Sequence, residues 1–242
     1  MIVINRLPVL IKMKLTPDTL YKTLIEHIGN LDWWPIDMDY HKKNRSDSRF
    51  EIIVGAILTQ NTSWSNVEKA LSNLKLKNIL DIKNIADINI ENLQKMIKPS
   101  GFFKQKAKRL KNISSYLHEE YDDNLDVFFD RNLYIIRDEL LSLNGIGQET
   151  ADSILLYAGN LPIFVVDTYT KRICERLHIC KNSSYDEIQD YFEYDLSKKY
   201  TKDKLTQIYN ELHALIVILA KNHCKKTPEC QKCVINKYCF YE

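Results

Sequence analysis

The sequence predicts an all-α protein, and three observations carry that expectation. Apolar residues recur at spacings of three and four in several long windows, the period of a helix with one buried face. Only six Gly and six Pro punctuate the 242 residues, fewer than a hairpin-rich β protein would use. One short run, residues 161–166, has a β-like pattern, and it leads straight into another helical stretch. The segment from Phe50 through Ile52, Ile53, Val54, Ala56, Ile57 and Leu58 is apolar on nearly every side, which predicts a central buried helix. Val67, Ala70, Leu71 and Leu74 predict an amphipathic helix, as do Leu205, Ile208, Tyr209, Leu212, Leu215, Ile216 and Leu219. Residues 29–48 read as an irregular connection and 98–101 as a turn.

The chain is long enough for one large or two small domains with a real core. Hydrophobic residues at 45% and charged residues at 27% are ordinary for a soluble globular protein. The first fifteen residues are apolar in places, but Arg6, Pro8, Lys12 and Lys14 interrupt them and no small-residue cleavage site follows. No later run is long enough to span a bilayer, so the expected location is cytoplasmic, with no membrane partner. A net charge of +2 does not by itself argue for nucleic acid. Its distribution is more suggestive: Lys104, Lys106, Lys108, Arg109 and Lys111 cluster, and Lys221, Lys225, Lys226, Lys232 and Lys237 populate the tail. Such patches bind phosphates, although each taken alone reads as a solvated face.

Two constellations carry chemistry. In Leu143-Asn144-Gly145-Ile146-Gly147, two glycines two apart permit a hairpin too tight for a Cβ, between flanks of helical spacing. Amides of that turn and of the next helix start could hold a phosphate without reading sequence. Alone, the motif reads more readily as a mere helix–turn–helix corner. Twenty residues after Gly147, Asp167 closes an apolar run and opens a helix, where an N-cap is the plain reading. The tail holds Cys224-x5-Cys230-x2-Cys233-x5-Cys239, four thiols in sixteen residues, which suits a tetrathiolate site. Zinc more often takes two Cys-x2-Cys pairs, and disulfides are disfavoured in a cytosolic protein. Cys174 and Cys180 lie outside the pattern and read as core thiols.

Taken together, the hairpin from Leu143 to Ala151 and Val166-Asp167-Thr168 with Arg172 resemble the helix–hairpin–helix, Gly/Pro-rich loop and aspartate motif of the endonuclease III superfamily of DNA glycosylases. Asp32-Trp33-Trp34-Pro35, Phe50, Gln60-Asn61-Thr62 and the stretch from Pro99 to Leu110 resemble its 3-methyladenine glycosylase branch. The resemblance covers roughly residues 31–180. The cysteine tail resembles the 4Fe-4S loop of that superfamily, with one residue fewer in the first spacer.

The resemblance implies two helical lobes with a DNA cleft between them. Residues 49–157 would form a helical barrel that includes the hairpin. Residues 1–48 and 158–242 would form the second lobe, bearing a 4Fe-4S cluster on Cys224, Cys230, Cys233 and Cys239. A monomer would act on duplex DNA with damaged bases, the cluster being mainly architectural. Asp167 would be the catalytic carboxylate, stabilising an oxocarbenium-like sugar and orienting or deprotonating water. Trp33, Trp34, Pro35, Phe50 and Glu149 would line the base pocket. Gln60 would fill the gap left by the flipped nucleotide, and Asn61, Gly145, Gly147 and Thr150 would meet the DNA. Glu149 stands where bifunctional members carry a lysine, and a carboxylate cannot form their Schiff base.

The expected function is therefore monofunctional hydrolysis of the glycosidic bond of alkylated purines such as 3-methyladenine. An aromatic pocket would attract such a cationic base by about 0.5–2 kcal/mol per contact. Rival readings are a thymine/uracil mismatch or oxidised-pyrimidine glycosylase of the same family, a non-catalytic iron–sulfur DNA-binding protein, and a zinc-binding helical module. Trp33 and Trp34 could equally be core packing, and Gln60 a solvated or capping amide. Phe102 and Phe103 are expected in the core. The six histidines show no ligand spacing and read as surface or hydrogen-bonded residues.

Overall fold

The computed structural model describes residues 15–241, so the reading of the first fourteen residues lies outside it. The described residues contain helices, turns and extended connections and no β-strand. The chain divides into two compact units. One is Asp32–Val165; the other joins the chain up to Leu31 with the chain from Val166 onward.

Helix α1 (Pro17–Ile28) belongs to the second unit. Thr16 caps it by accepting the Thr19 N–H, and Pro17 opens it where no amide is needed. The central unit then runs through α2 (Met38–Asn44), α3 (Ser48–Leu58), α4 (Trp64–Leu76), α5 (Ile82–Asp87), α6 (Ile90–Ile97), α7 (Phe103–Tyr121), α8 (Leu125–Phe129), α9 (Leu133–Ser142) and α10 (Gln148–Ser153). A π-turn, Ile154–Ala158, extends α10. Returning to the second unit, the chain forms α11 (Thr168–Arg176), α12 (Tyr185–Ser197) and α13 (Lys202–Asn222). Long α7 packs against α5 and α6, α4 packs against α6, and α13 packs against α1 and α11.

The buried helix expected from residue 50 onward is α3, whose residues from Phe50 to Leu58 are all buried. Its composition explains this, because apolar side chains on every face leave none to meet water. Glu51 is the exception, a carboxylate only 2% exposed. It is neutralised in place: His41 Nε2 lies 2.9 Å and Lys75 Nζ 2.6 Å from its oxygens. Asp37 N–H donates to it as well, at 3.3 Å. Burial pushes the Glu51 carboxyl up, but the His41 and Lys75 bonds outweigh it and hold it below its ordinary range.

That cluster explains a boundary. Residues 32–48, assigned from the sequence to the second lobe, sit in the central unit, as does 158–165. The 29–48 connection is also not wholly irregular, since α2 forms within it. The β-like run 161–166 pairs with no strand and is an extended connection from the π-turn to α11. Residues 98–101 form the expected turn, beginning with the short 3-10 element Lys98–Ser100.

Glu51→Gln should lower stability by roughly 3 kcal/mol in urea unfolding at neutral pH, because Lys75 and His41 lose their shared anion. Glu51 is depressed in the folded state, so its contribution is present above the unfolded carboxyl value. The gap between wild type and variant should therefore close as pH falls below about 4.5 and through the lower folded value.

Candidate catalytic and nucleic-acid-binding sites

In the central unit the hairpin forms as its glycines require. Helix α9 ends at Ser142, and Gly145 turns the chain with φ +87°. Gly147 then caps α10 without a side chain. The two glycines answer different demands. A Cβ on Gly145 would collide with Arg109 Nε, Cδ and Cγ. A Cβ on Gly147 would meet nothing within 4 Å.

Gln60, in the turn that follows α3, is tied to this hairpin. Its Nε2 donates to Gly145 O at 3.2 Å and to Thr150 Oγ1 at 2.9 Å. Its Oε1 accepts from Arg109 Nη1. Next to it, Asn61 is exposed with φ +54°. Behind the turn, Lys106 is buried and donates to Leu58 O at 2.8 Å and Ser100 O at 2.6 Å. Burial, with the Arg109 charge adding to it, pushes Lys106 down to about 8.

Trp33 and Trp34 join two aromatics that the sequence did not single out. Trp34 meets Trp64 edge to face at 5.3 Å between ring centroids and Tyr157 at 5.3 Å. Trp33 lies 6.0 Å from Trp34 and 6.1 Å from Trp64. Such spacings fall in the favourable range for aromatic pairs. Gly55 of α3 admits the Trp34 ring, whose Cζ2 and Nε1 would stand 3.0 and 3.1 Å from any Cβ there. Both indoles are half-buried and Pro35 is exposed, whereas Phe50 is 1% exposed. Glu149 lies exposed on α10. Phe102, placed in the core by sequence, is 62% exposed with φ +44°, and Phe103 is half-buried.

In the second unit Asp167 caps α11, as its position at the head of a helix suggested. Its Oδ1 accepts from Thr170 N at 2.7 Å and Thr170 Oγ1 at 2.9 Å. His213 Nε2, from α13, is 3.7 Å from Oδ2. Burial raises the Asp167 carboxyl, but the His213 imidazole and the Thr170 donors outweigh it, so it stays below its ordinary range. An ionised carboxylate is thereby kept in a site only 8% exposed. His213 carried no signal in the sequence, because nothing local marks which histidine of a distant helix meets Asp167.

The tail cysteines come together in the same unit. Cys224, Cys230, Cys233 and Cys239 line one open pocket with Ile173, Leu177, Pro228 and Ile235. Arg176, at the end of α11, donates from Nη1 to Cys224 Sγ at 3.0 Å and to Lys225 O at 2.8 Å. The Arg176 carbonyl accepts from Phe240 N at 3.0 Å. Burial, with the neighbouring thiols adding to it, pushes the Cys233 thiol up. Among the described residues no three His, Cys, Asp or Glu side chains are grouped so as to hold a single metal ion. Cys174 is buried, in keeping with a core thiol, and Cys180 is half-buried.

The profile of the HhH-GPD superfamily of base excision DNA repair proteins matches residues 54–197, more than half of the chain. The chain belongs to that superfamily. Among its HhH-GPD relatives, a protein of Methanocaldococcus jannaschii named as a candidate DNA repair glycosylase is 43% identical over 91% of this chain and 94% of its own length. Endonuclease III of Thermotoga maritima is 28% identical over 84% of this chain and 88% of its own length. The crystal structure of H. pylori 3-methyladenine DNA glycosylase bound to 1,N6-ethenoadenine superposes with a TM-score of 0.68. It is 30% identical and covers 86% of this chain and 98% of that one. The protein is thus a base excision repair DNA glycosylase by family, with an all-helical fold and a helix–hairpin–helix. No helix among the described residues is long and apolar enough to cross a membrane.

Gly55→Ala tests the aromatic site directly. Its methyl has to displace the Trp34 ring by several tenths of an ångström, so a loss of about 1–2 kcal/mol and a shifted tryptophan emission are expected. Unchanged fluorescence would mean that the ring has another place to go.

Proposed function

We propose that this HhH-GPD protein is a monofunctional glycosylase that releases alkylated purines such as 3-methyladenine from duplex DNA and leaves an abasic site. The observation that carries this reading is the half-buried aromatic site of Trp33 and Trp34 against Trp64 and Tyr157. Ring faces attract a cationic base by stacking and by cation–π interaction, whereas neutral bases gain less. Trp33, Trp34 and Pro35 would meet the base, with Phe50 backing them from the core. Similarity to the H. pylori 3-methyladenine enzyme supports the same choice.

Asp167 supplies the chemistry. Held ionised by Thr170 and His213, it stabilises positive charge developing on the sugar and orients or deprotonates the attacking water. A methylated purine leaves readily, so little acid assistance is required. Glu149 has no amine to attack the sugar, which favours hydrolysis without strand cleavage. The open space at Gly147 suits the approach of a phosphate to the start of α10. Gln60, Asn61 and Gly145 belong to the surface offered to duplex DNA, whereas Thr150, expected there from the sequence, is buried and holds Gln60 through its hydroxyl.

The four tail thiols would hold a 4Fe-4S cluster. A lone zinc ion needs thiolates about 3.8 Å apart, from its bond length of about 2.3 Å and tetrahedral geometry. The four thiols line one pocket, and their spacing lacks the second Cys-x2-Cys pair that zinc favours, which suits the cluster better. When bound, the cluster cross-links the tail, whose Lys225, Lys226 and Lys232 are exposed. The protein would work as a monomer in the cytoplasm, on the nucleoid of a prokaryotic cell.

Duplex DNA carrying methylated purines, oxidised pyrimidines and mismatched thymine tests the reading, with released bases identified by mass spectrometry. Free 3-methyladenine without nicking, and no borohydride-trapped adduct, is the expected result. Release of oxidised pyrimidine or of mismatched thymine would overturn the substrate. Asp167→Asn should lower base release at least a hundredfold while duplex affinity stays within about twofold. An active Asp167→Asn protein would sink the catalytic assignment. Cys233→Ser should reduce iron and sulfide per chain and the visible absorbance, and equal zinc in the wild type would refute the cluster.

A further inference from the structure

Gln60 is held from two sides within the central unit. Arg109 has only donors, so its bond to Oε1 fixes which end of the Gln60 amide faces α7. Both hydrogens of the amide are directed to acceptors on the hairpin side, Gly145 O and Thr150 Oγ1. Arg109 is itself constrained, because its Cγ, Cδ and Nε lie over Gly145 where a Cβ would collide. A turn needing φ +87° explains a glycine at 145, but it does not require an arginine stem against that glycine. The charged bond and the close packing make one unit of α7, the 59–62 turn and the hairpin. Lys106, one helical turn earlier on α7, fixes the end of α3 from the same side through Leu58 O.

We propose that Arg109 is a positioning residue for base release. It locks the Gln60 turn to the helix–hairpin–helix, so that Gln60 and exposed Asn61 meet the duplex in one preset arrangement with the phosphate-facing hairpin. This rests on the reading above, that the turn and hairpin face DNA. Pre-set groups act without reorganisation when the nucleotide leaves the stack, so loosening the lock slows the step after binding more than it weakens binding.

A double-mutant cycle on residues 109 and 60 tests the proposal, with kcat and KM measured for 3-methyladenine release. A hydrogen bond to a charged group sets the scale, so Arg109→Met should lower kcat/KM about tenfold, chiefly through kcat. Gln60→Ala should do the same, and the double variant should be no worse than Gln60→Ala alone. Arg109→Lys, which keeps one donor, should recover part of the loss. The Gln60 side-chain NH2 resonances of 15N-labelled protein should be dispersed in wild type and averaged in Arg109→Met. Additive losses, or resonances unchanged by Arg109→Met, overturn the proposal. If the wild type releases no alkylated purine, the substrate reading fails separately. The cycle is then read on affinity for duplex holding an abasic-site analogue, where the same non-additivity is expected.

Discussion

Burial of α3 on all its faces is the constraint on which the central unit depends. A helix that meets no water must be enclosed by other elements, and the enclosing contacts position residues of the proposed site. At its first turns, buried Glu51 draws in His41 and Lys75 and so holds the segment that follows Trp33 and Trp34. At its middle, Gly55 leaves the space that the Trp34 ring fills. At its end, the turn carrying Gln60 is fastened to the hairpin. A charge inside such a helix is tolerated only because it is paired, since an unpaired buried carboxylate would be strongly destabilising.

In the second unit a single nine-residue helix links the two candidate sites. Helix α11 has Asp167 as its cap and Arg176 in its last turn, about 13 Å apart at 1.5 Å rise per residue. Asp167 is held by Thr170 from within the helix and approached by His213 from α13. Arg176 and its carbonyl hold the tail that bears the cysteines. The tail has little regular structure of its own, so its order comes from such bonds and from the apolar pocket it closes. The proposed cluster, if bound there, would be architectural: thiolate bonds would fasten a segment that has few helical hydrogen bonds.

Several residues were misread or missed for identifiable reasons. Phe102 looks like core from its type, but it opens α7 at a positive φ that turns it outward. Trp64 and Tyr157 sit at ordinary amphipathic positions, and only their meeting with Trp34 sets them apart. Arg109 reads as one cation in a solvated stripe until Gly145 is found beneath it. The lobe boundary shifted because the Glu51 cluster draws residues 32–48 onto the central unit, and no composition change marks that join.

The sequence by itself determined the helical class, the buried α3, the glycine hairpin, the aspartate at the head of a helix and the cysteine spacing. Each is written in residues close together along the chain, where helical period, φ freedom and ligand spacing act locally. The tertiary structure alone decided that Glu51 is paired, that His213 approaches Asp167, that four aromatic rings share one site and that Arg109 grips Gln60. Those outcomes depend on which remote segments pack together, and local spacing carries no record of a partner far along the chain.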